Sequence, residues 1–223
     1  MSARGNALVL HSPLPGPALL RALNGVAQEI VFTDARVVDE SFRPRAALSR
    51  TYRYLEAAPR GPLNAYRAAA AVVVGDIDVR SFGRGLPGGR PIVRTVHRFE
   101  VTEDGTGFVL EVSAPSFVWG MVRKLVGAIR QVAAKELDLA TLRAAVAGRR
   151  RLTLPLAEPE PLLLWDVSYG VPWTVHATGL SRRQKAYFRT ERHAAQVRHR
   201  LLGRLGEERF GSDEASMDAG GSE

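Results

Sequence analysis

Residues 117–137, with the sequence FVWGMVRKLVGAIRQVAAKEL, constrain the fold of this chain most because they separate into three lanes at helical spacing. One lane is a broad apolar arc, which predicts an amphipathic helix with one side in a core. A second lane is a polar edge of lysine and glutamine. The third lane alternates glycine with arginine and consists of Gly120, Arg123, Gly127 and Arg130.

The glycine lane clears the space around Arg123 of neighbouring side chains. A buried glycine weakens a helix by about 1 kcal/mol relative to alanine, so two on one lane indicate a packing or functional reason. One interpretation is close packing of the helix against a sheet, with the Arg123 side chain extending to solvent. The other is that a second backbone or a ligand approaches the guanidinium closely. The helix alone leaves both interpretations open.

The composition excludes several classes of site and location. The 223 residues contain no cysteine, which excludes a disulfide framework, cysteine-ligated zinc and cysteine catalysis. The five histidines have no ligand spacing with carboxylates, so no metal site is predicted, and no Ser-His-Asp motif is present. No apolar run is long enough to cross a bilayer, and the N-terminus has no pattern of a secretion signal. We therefore expect a cytoplasmic protein without membrane association.

The charge of the chain favours a polyanionic partner. The formal net charge is +8, and all but three of the 31 basic residues are arginine. Arginine suits bidentate contacts with phosphate and stacking on bases. Nucleic acid is therefore the class of partner that the composition favours.

The predicted elements indicate an α+β fold with a largely antiparallel sheet flanked by helices. Hairpin signals such as the turn sequence EDGTG account for the antiparallel pairing. The predicted strands are 6–11, 29–38, 51–57, 93–102, 107–114 and 162–169, and the predicted helices are a short one from Pro17 to a C-cap at Gly25, then 66–74, 117–137, 139–147 and 181–210.

The character of the chain changes after Tyr169, and this predicts its domain organisation. The predicted parts are a main domain (1–170), a linker (171–180), a basic amphipathic helix (181–210) and a disordered acidic tail (211–223). Ser181 is the predicted N-cap of the basic helix. That helix is an addition to the main fold.

A short segment, SRTYRY at residues 49–54, carries candidate binding residues. The strand period places Arg50, Tyr52 and Tyr54 on one face. A guanidinium beside two tyrosines suits stacking and hydrogen bonding to a nucleobase. The alternative is that these aromatic residues belong to the core, which is the commoner place for aromatics on a strand face.

Five segments together resemble the tRNA pseudouridine synthase A family. They occur in the family's order and extend to about Tyr169, which leaves the C-terminal helix and tail outside the resemblance. The segments are LNG followed by EIVF, SFRPRAALSRTYRY, GDIDVRSF, FVWGMVRKLVG and EPLLLWDVSY. The resemblance implies the pseudouridine synthase fold, a homodimer and a tRNA substrate modified in the anticodon stem-loop. It also implies an isomerisation that replaces the N-glycosidic bond of uridine with a C-glycosidic one and needs neither cofactor nor metal.

The resemblance also assigns roles to individual residues. Tyr52 aligns with the tyrosine that packs on the flipped-out uracil, and Arg123 aligns with the arginine that pairs with the catalytic aspartate. Arg80 and Phe82 belong to the motif that helps to shape the cleft, and with Arg50 and Tyr52 they are the predicted substrate-binding residues. The reaction needs an extruded base and an aspartate that attacks the nucleotide, and a buried arginine would keep that aspartate ionised.

The family's nucleophile has no counterpart in residues 1–223. It lies in a motif of the form Arg-Thr-Asp-x-Gly-Val, and Met1 stands at the place of the valine, so the aspartate would fall three residues before Met1. We therefore expect a chain that lacks the N-terminal part of the fold and that is inactive as given. Either an internal valine codon is taken as the start, or the truncation is genuine. The alternative is a non-catalytic RNA-binding remnant of the family. A more distant alternative is a basic scaffold protein that binds other proteins through the helix 181–210.

Overall fold

Antiparallel sheets flanked by helices confirm the predicted α+β class. The structure is a computed structural model that describes residues 2–86, 90–177 and 179–210. In chain order the elements are β1 (Ser2–Ala3), α1 (Gly16–Val26), β2 (Asp34–Ala35), a 3-10 turn (Pro44–Ala46), β3 (Ser49–Glu56), α2 (Leu63–Val72), β4 (Gly75–Asp78), β5 (Val93–Val96), β6 (Arg98–Glu103), β7 (Phe108–Ala114), α3 (Met121–Ala133), α4 (Leu139–Val146), β8 (Leu162–Ser168), β9 (Val175–His176) and α5 (Arg182–Phe210).

A five-stranded sheet holds the strand that carries Tyr52. The strand order is β1-β8-β3-β7-β6, and the pairings are antiparallel except that of β1 with β8. Tyr52 lies opposite Val112 of β7 and Leu164 of β8, both of which are buried. Every second residue of β7 is buried, from Phe108 to Ala114. Tyr52 therefore projects from the side of the sheet that faces the core.

The predicted amphipathic helix is present as α3, and it is shorter than residues 117–137. Gly120 has a φ of 78° and caps the N-terminus, and Lys135 has a φ of 61° just beyond the C-terminus, so the backbone leaves helical geometry at both ends. The apolar arc lies in the core as predicted. Its fully buried members include Met121, Leu125, Val126 and Ile129.

Some predicted elements differ from the structure, chiefly in whether a segment pairs and with which strand. Residues 6–11 form no strand, and of residues 29–38 only β2 pairs, with β9. The single predicted strand over residues 93–102 is two strands, because β5 pairs with β4 whereas β6 pairs with β7. Gly25 lies inside α1, whose C-cap is Ala27. A local pattern shows that a segment can be extended but not whether a partner strand reaches it.

The chain folds as two compact units, each discontinuous in sequence. Among the described residues, the sheet unit comprises 2–10 and 40–171, and the terminal-helix unit comprises 11–39 and 172–210. The predicted main domain, in contrast, runs continuously to residue 170. The predicted linker contains β9, and the predicted tail, 211–223, lies outside the described residues.

A capping box begins α5, as predicted for Ser181. The amide N–H of Ser181 donates to Oε1 of Gln184 at 2.9 Å, and the amide N–H of Gln184 donates to Oγ of Ser181 at 3.3 Å. The Gln184 side chain is fully buried, and its Nε2 donates to Oδ1 of Asn24 and to the carbonyl oxygen of Ile30, each at 2.8 Å. Asn24 also exchanges two hydrogen bonds with the backbone of Phe32. Gln184 therefore anchors the start of α5 on α1 and the segment that follows α1.

We expect Gln184→Leu to loosen the start of α5. The substitution removes the donor to two buried oxygens, a loss of about 1–3 kcal/mol, so amide hydrogen exchange in the first turns of α5 should become about 5- to 150-fold faster. Gln196→Leu, at an exposed position of the same helix, is the matched control and should leave those rates unchanged. Equal exchange rates in the two variants would contradict the anchoring role.

Candidate functional site

The glycine lane of α3 is covered by residues 154–158 of the same chain. A Cβ atom at Gly127 would overlap the carbonyl oxygen of Pro155. Nearby, Nε of Arg123 donates to the carbonyl oxygen of Ala157, and the N–H of Ala157 donates to the carbonyl oxygen of Arg123 at 3.3 Å. A second backbone therefore occupies the space that Gly127 leaves, and this backbone belongs to no helix or strand.

Gly127→Ala should destabilise the protein, because the added Cβ meets a backbone carbonyl that cannot move without shifting the segment. Such overpacking costs about 1–3 kcal/mol. Gly25→Ala is the matched control, since a Cβ at Gly25, within α1, meets nothing within 4 Å. It should stabilise the helix by up to about 1 kcal/mol. Denaturant unfolding of both variants measures the contrast, and a neutral Gly127→Ala would show that the close approach is not required.

Arg123 keeps part of its guanidinium available for an anion. The residue is half-buried, and Nε is engaged by Ala157. Among the residues that the structure describes, neither terminal nitrogen of Arg123 has a hydrogen-bond partner, and no carboxylate forms a salt bridge with it. The two terminal nitrogens form a fork that matches the geometry of a carboxylate or a phosphate. The backbone contact thus orients the group while its charge remains uncompensated.

Tyr52 packs on the segment that leads into α3. Its ring meets the ring of Phe117 edge-on, with centroids 5.1 Å apart and planes at 88°. Burial raises the pKa of the Tyr52 hydroxyl, and the positive charge of Arg50 offsets only part of that effect. The phenol is therefore neutral at physiological pH and can stack or donate a hydrogen bond without carrying charge.

Arg50 is engaged by backbone carbonyls. Its Nη1 donates to the carbonyl oxygen of Pro115 at 2.7 Å, and its Nη2 donates to those of Pro44 and Arg45 at 3.3 and 2.9 Å. These bonds join the turn that precedes β3 to the residue that follows β7. Stacking of this guanidinium on a nucleobase, as the sequence suggested, would have to compete with them.

The structure places Arg80 in an ion pair and Phe82 in the core. Nε of Arg80 donates to both carboxylate oxygens of Asp78, at 2.9 and 2.7 Å. Burial raises the pKa of Asp78, but the hydrogen bonds from Arg80 lower it by more than burial raises it. The carboxyl therefore has a pKa below its usual value. The pair lines a cavity of about 180 Å³. Phe82 is fully buried, so it supports the wall of a cleft from within the core and does not contact a bound substrate.

A network at the end of the glycine lane, buried at Glu56 and Tyr54 and exposed at Glu158, is the main feature that the sequence reasoning missed. Arg130 forms salt bridges with Glu56 and with Glu158, the latter at 2.6 Å, and its Nη2 donates to the hydroxyl of Tyr54 at 3.2 Å. The Tyr54 hydroxyl donates to Glu158 at 3.1 Å. The strand period could have indicated this network, because it places Glu56 on the same face as Tyr54. The network joins β3, α3 and the segment that covers the lane.

Three groups of this network, Tyr54, Arg130 and Glu158, have shifted pKa values. Burial raises the pKa of Tyr54 to about 12, although the charge of Arg130 opposes this. The hydrogen bond from Arg130 lowers the pKa of Glu158 to about 2. Burial lowers the pKa of Arg130, but the bonds to Glu56 and Glu158 raise it more, so the guanidinium stays charged.

Arg130→Met should destabilise the sheet unit most at neutral pH. The carboxylate of Glu56, which is 3% exposed, would lose its cation, and breaking a buried pair costs about 3–5 kcal/mol. The hydrogen bond from Arg130 lowers the pKa of Glu158 to about 2, so the stabilisation that this pair gives the wild type is present above pH 4.5 and lost as the pH falls towards about 2. The loss caused by Arg130→Met should therefore shrink as the pH falls.

Denaturant unfolding at pH 7 and pH 4 measures this difference. Arg143→Met, at an exposed position of α4, is the control and should have little effect at either pH. An equal loss at the two pH values would contradict the ionic role of Arg130.

Trp119 is an exposed aromatic residue at the start of α3. Its side chain is 69% exposed, and the guanidinium of Arg84 lies 4.4 Å from the ring centroid. The N–H of Arg84 donates to the carbonyl oxygen of Trp119 at 2.9 Å, which holds the two together. An exposed indole beside a cation suits a stacked base and its phosphate. In the sequence, Trp119 could have been recognised as exposed because it is an aromatic residue outside the apolar arc of the helix.

In the part of the chain that the structure describes, no group of three or more His, Cys, Asp or Glu residues could hold a metal ion. In the same part, every helix is too short or too polar to cross a membrane.

Comparison with known proteins points to one family. A family model described as tRNA pseudouridine synthase matches residues 69–170, which include Arg80, Phe82 and Arg123. A protein named tRNA pseudouridine synthase A from Methanosphaerula palustris is 32% identical over 220 residues, which is 98% of this chain and 76% of that protein. Proteins of the same name from Thermococcus kodakarensis and Methanococcoides burtonii are 32% and 28% identical, over 88% and 90% of this chain and 74% and 72% of their own lengths.

These comparisons extend the resemblance beyond the segments that first indicated it. An alignment over 98% of the chain takes in α5, which the sequence analysis left outside the resemblance. The basic helix therefore has a counterpart in at least one relative.

Proposed function

The chain belongs to the tRNA pseudouridine synthase A family, and on this basis we propose that it serves the isomerisation of uridine to pseudouridine in the anticodon stem-loop of tRNA. In this reaction the bond from C1′ to N1 of the base is broken and a bond from C1′ to C5 is formed. The C5 hydrogen leaves as a proton and N1 takes up a proton, so the product is an isomer of uridine. The proposal includes a homodimer that acts in the cytoplasm without a cofactor.

The observation that carries the proposal is the half-engaged guanidinium of Arg123. One nitrogen is tied to Ala157, and no described residue compensates the charge. Paired with a catalytic aspartate, the remaining fork would lower the pKa of that carboxyl and keep it ionised for attack on the nucleotide. A carboxylate nucleophile must stay ionised, and the charge of Arg123 meets this requirement.

The surroundings of Tyr52 support a role in holding an extruded base. Its neutral phenol is half-buried against Phe117, so the ring is positioned by packing before substrate arrives. An extruded base needs a stacking partner to offset the interactions that it loses in the RNA. Trp119 and Arg84 add an exposed stacking surface for a neighbouring base.

Residues 1–223 alone should release no tritium from tRNA labelled at C5 of uridine, because no aspartate in them matches the family's nucleophile. A chain extended at the N-terminus to carry the Arg-Thr-Asp-x-Gly-Val motif should be active. Turnover by residues 1–223 would contradict the assignment of the nucleophile. Tight tRNA binding without turnover by the extended chain would favour the alternative of a non-catalytic RNA-binding protein.

In the extended chain, Arg123→Met should lower kcat about 10²- to 10³-fold, the usual effect of removing one fixed electrostatic partner. The acid limb of the pH–rate profile should move to higher pH, because the nucleophilic carboxyl would lose the charge that keeps its pKa low. Arg143→Met is the control for a lost surface charge. An unchanged acid limb in Arg123→Met would show that Arg123 acts through structure alone.

A further inference from the structure

We propose that α5 carries an RNA-binding surface in addition to the residues of the candidate site. The surface is a row of exposed basic side chains, called here the basic stripe. It consists of Arg182, Lys185, Arg189, Arg192 and Arg200. This inference rests on the proposed function, because tRNA is chosen among polyanions as the substrate of that function.

Helical geometry places the stripe on one side of α5. At 3.6 residues per turn, the five positions fall within an arc of roughly 80°, and from Arg182 to Arg200 they extend over about 27 Å. Gln184 and Tyr187, the two described residues of α5 that are not exposed, fall on the other side. The anchored side and the basic stripe are therefore on different faces of the helix.

The charges of the stripe are uncompensated. The described side chains of α5, residues 182–201, include a single acidic residue, Glu191, which lies on the anchored side. None of the five stripe residues forms a salt bridge with any described residue. Like charges three or four residues apart destabilise a helix, so a polyanion along the stripe would remove a repulsion that the helix otherwise carries.

The chemistry of the stripe fits phosphate better than lipid or another helix. A helix that lies in a membrane interface needs a continuous apolar face. The large exposed apolar residues Phe188, Val197 and Leu201 do not share one face, since Phe188 lies about 140° or more from the other two. Positions with the spacing of a coiled-coil seam are occupied by cations in the stripe itself. A regular row of arginine and lysine side chains matches the phosphates of an RNA backbone.

The test compares two double variants of residues 1–223 that remove the same charge. Arg189→Gln with Arg192→Gln changes the stripe, whereas Arg183→Gln with Arg198→Gln changes exposed cations outside it. Glutamine has nearly the same helix propensity as arginine, so both should keep the helix, which circular dichroism checks. The measurement is the affinity for a fluorescent tRNA transcript over a series of salt concentrations.

The stripe variant should bind tRNA roughly tenfold more weakly than the wild type. The slope of log K against log salt should become less steep by about 1.5 to 2, as expected for two lost phosphate contacts. The control variant should stay within about twofold of the wild type. Equal weakening in both variants, or no weakening in either, would overturn the proposal for the stripe. The proposed function of the chain would still stand in that case, provided that the wild type binds tRNA.

Two further outcomes are decisive. If the wild type binds no tRNA at low salt, both the stripe and the proposed function of the chain fail. If the wild type binds vesicles of phosphatidylserine and phosphatidylcholine, and only that binding depends on the stripe, the surface recognises a membrane and the RNA proposal is wrong.

Discussion

The close approach of two backbones at the glycine lane of α3 is the constraint on which the rest of the sheet unit depends. Because Gly127 has no side chain, the segment 154–158 can lie along the helix. That segment then supplies the carbonyl of Ala157 to Arg123 and the carboxylate of Glu158 to Arg130. One missing Cβ thus determines the surroundings of two arginines seven residues apart.

Four arginines of the sheet unit, Arg50, Arg80, Arg123 and Arg130, differ in what engages their guanidinium groups. Arg50 ties two loops through backbone carbonyls, Arg80 neutralises Asp78, and Arg130 neutralises Glu56. The N–H donors of these three guanidinium groups are engaged within the protein. Removing any of them lowers the stability of the fold, because its partner is left without a hydrogen bond. Arg123 is positioned by a single bond, which leaves its charge for a partner that develops or carries negative charge.

Periodicity predicted the elements whose burial follows from their own sequence. The helix α3, the strands β3, β7 and β8, and the capped start of α5 are of this kind, because an apolar face or a cap is visible locally. The short β2 depends on β9, which is far away in sequence. The break between β5 and β6 arises because the two strands pair with different neighbours, β4 and β7. For the site, the resemblance selected Tyr52 and Arg123, but the backbone partners of Arg50 and the burial of Phe82 arise from tertiary packing, which no single segment encodes.

The anchoring of α5 at one end has a mechanical consequence. The helix is held through Gln184, and every described side chain from Phe188 to Leu201 is exposed. At about 1.5 Å per residue, the helix extends roughly 39 Å from Gln184 to Phe210. A pivot of about 10° at the glutamine would sweep the far end through roughly 7 Å. The direction in which α5 extends therefore depends on the hydrogen bonds of one buried amide near its start.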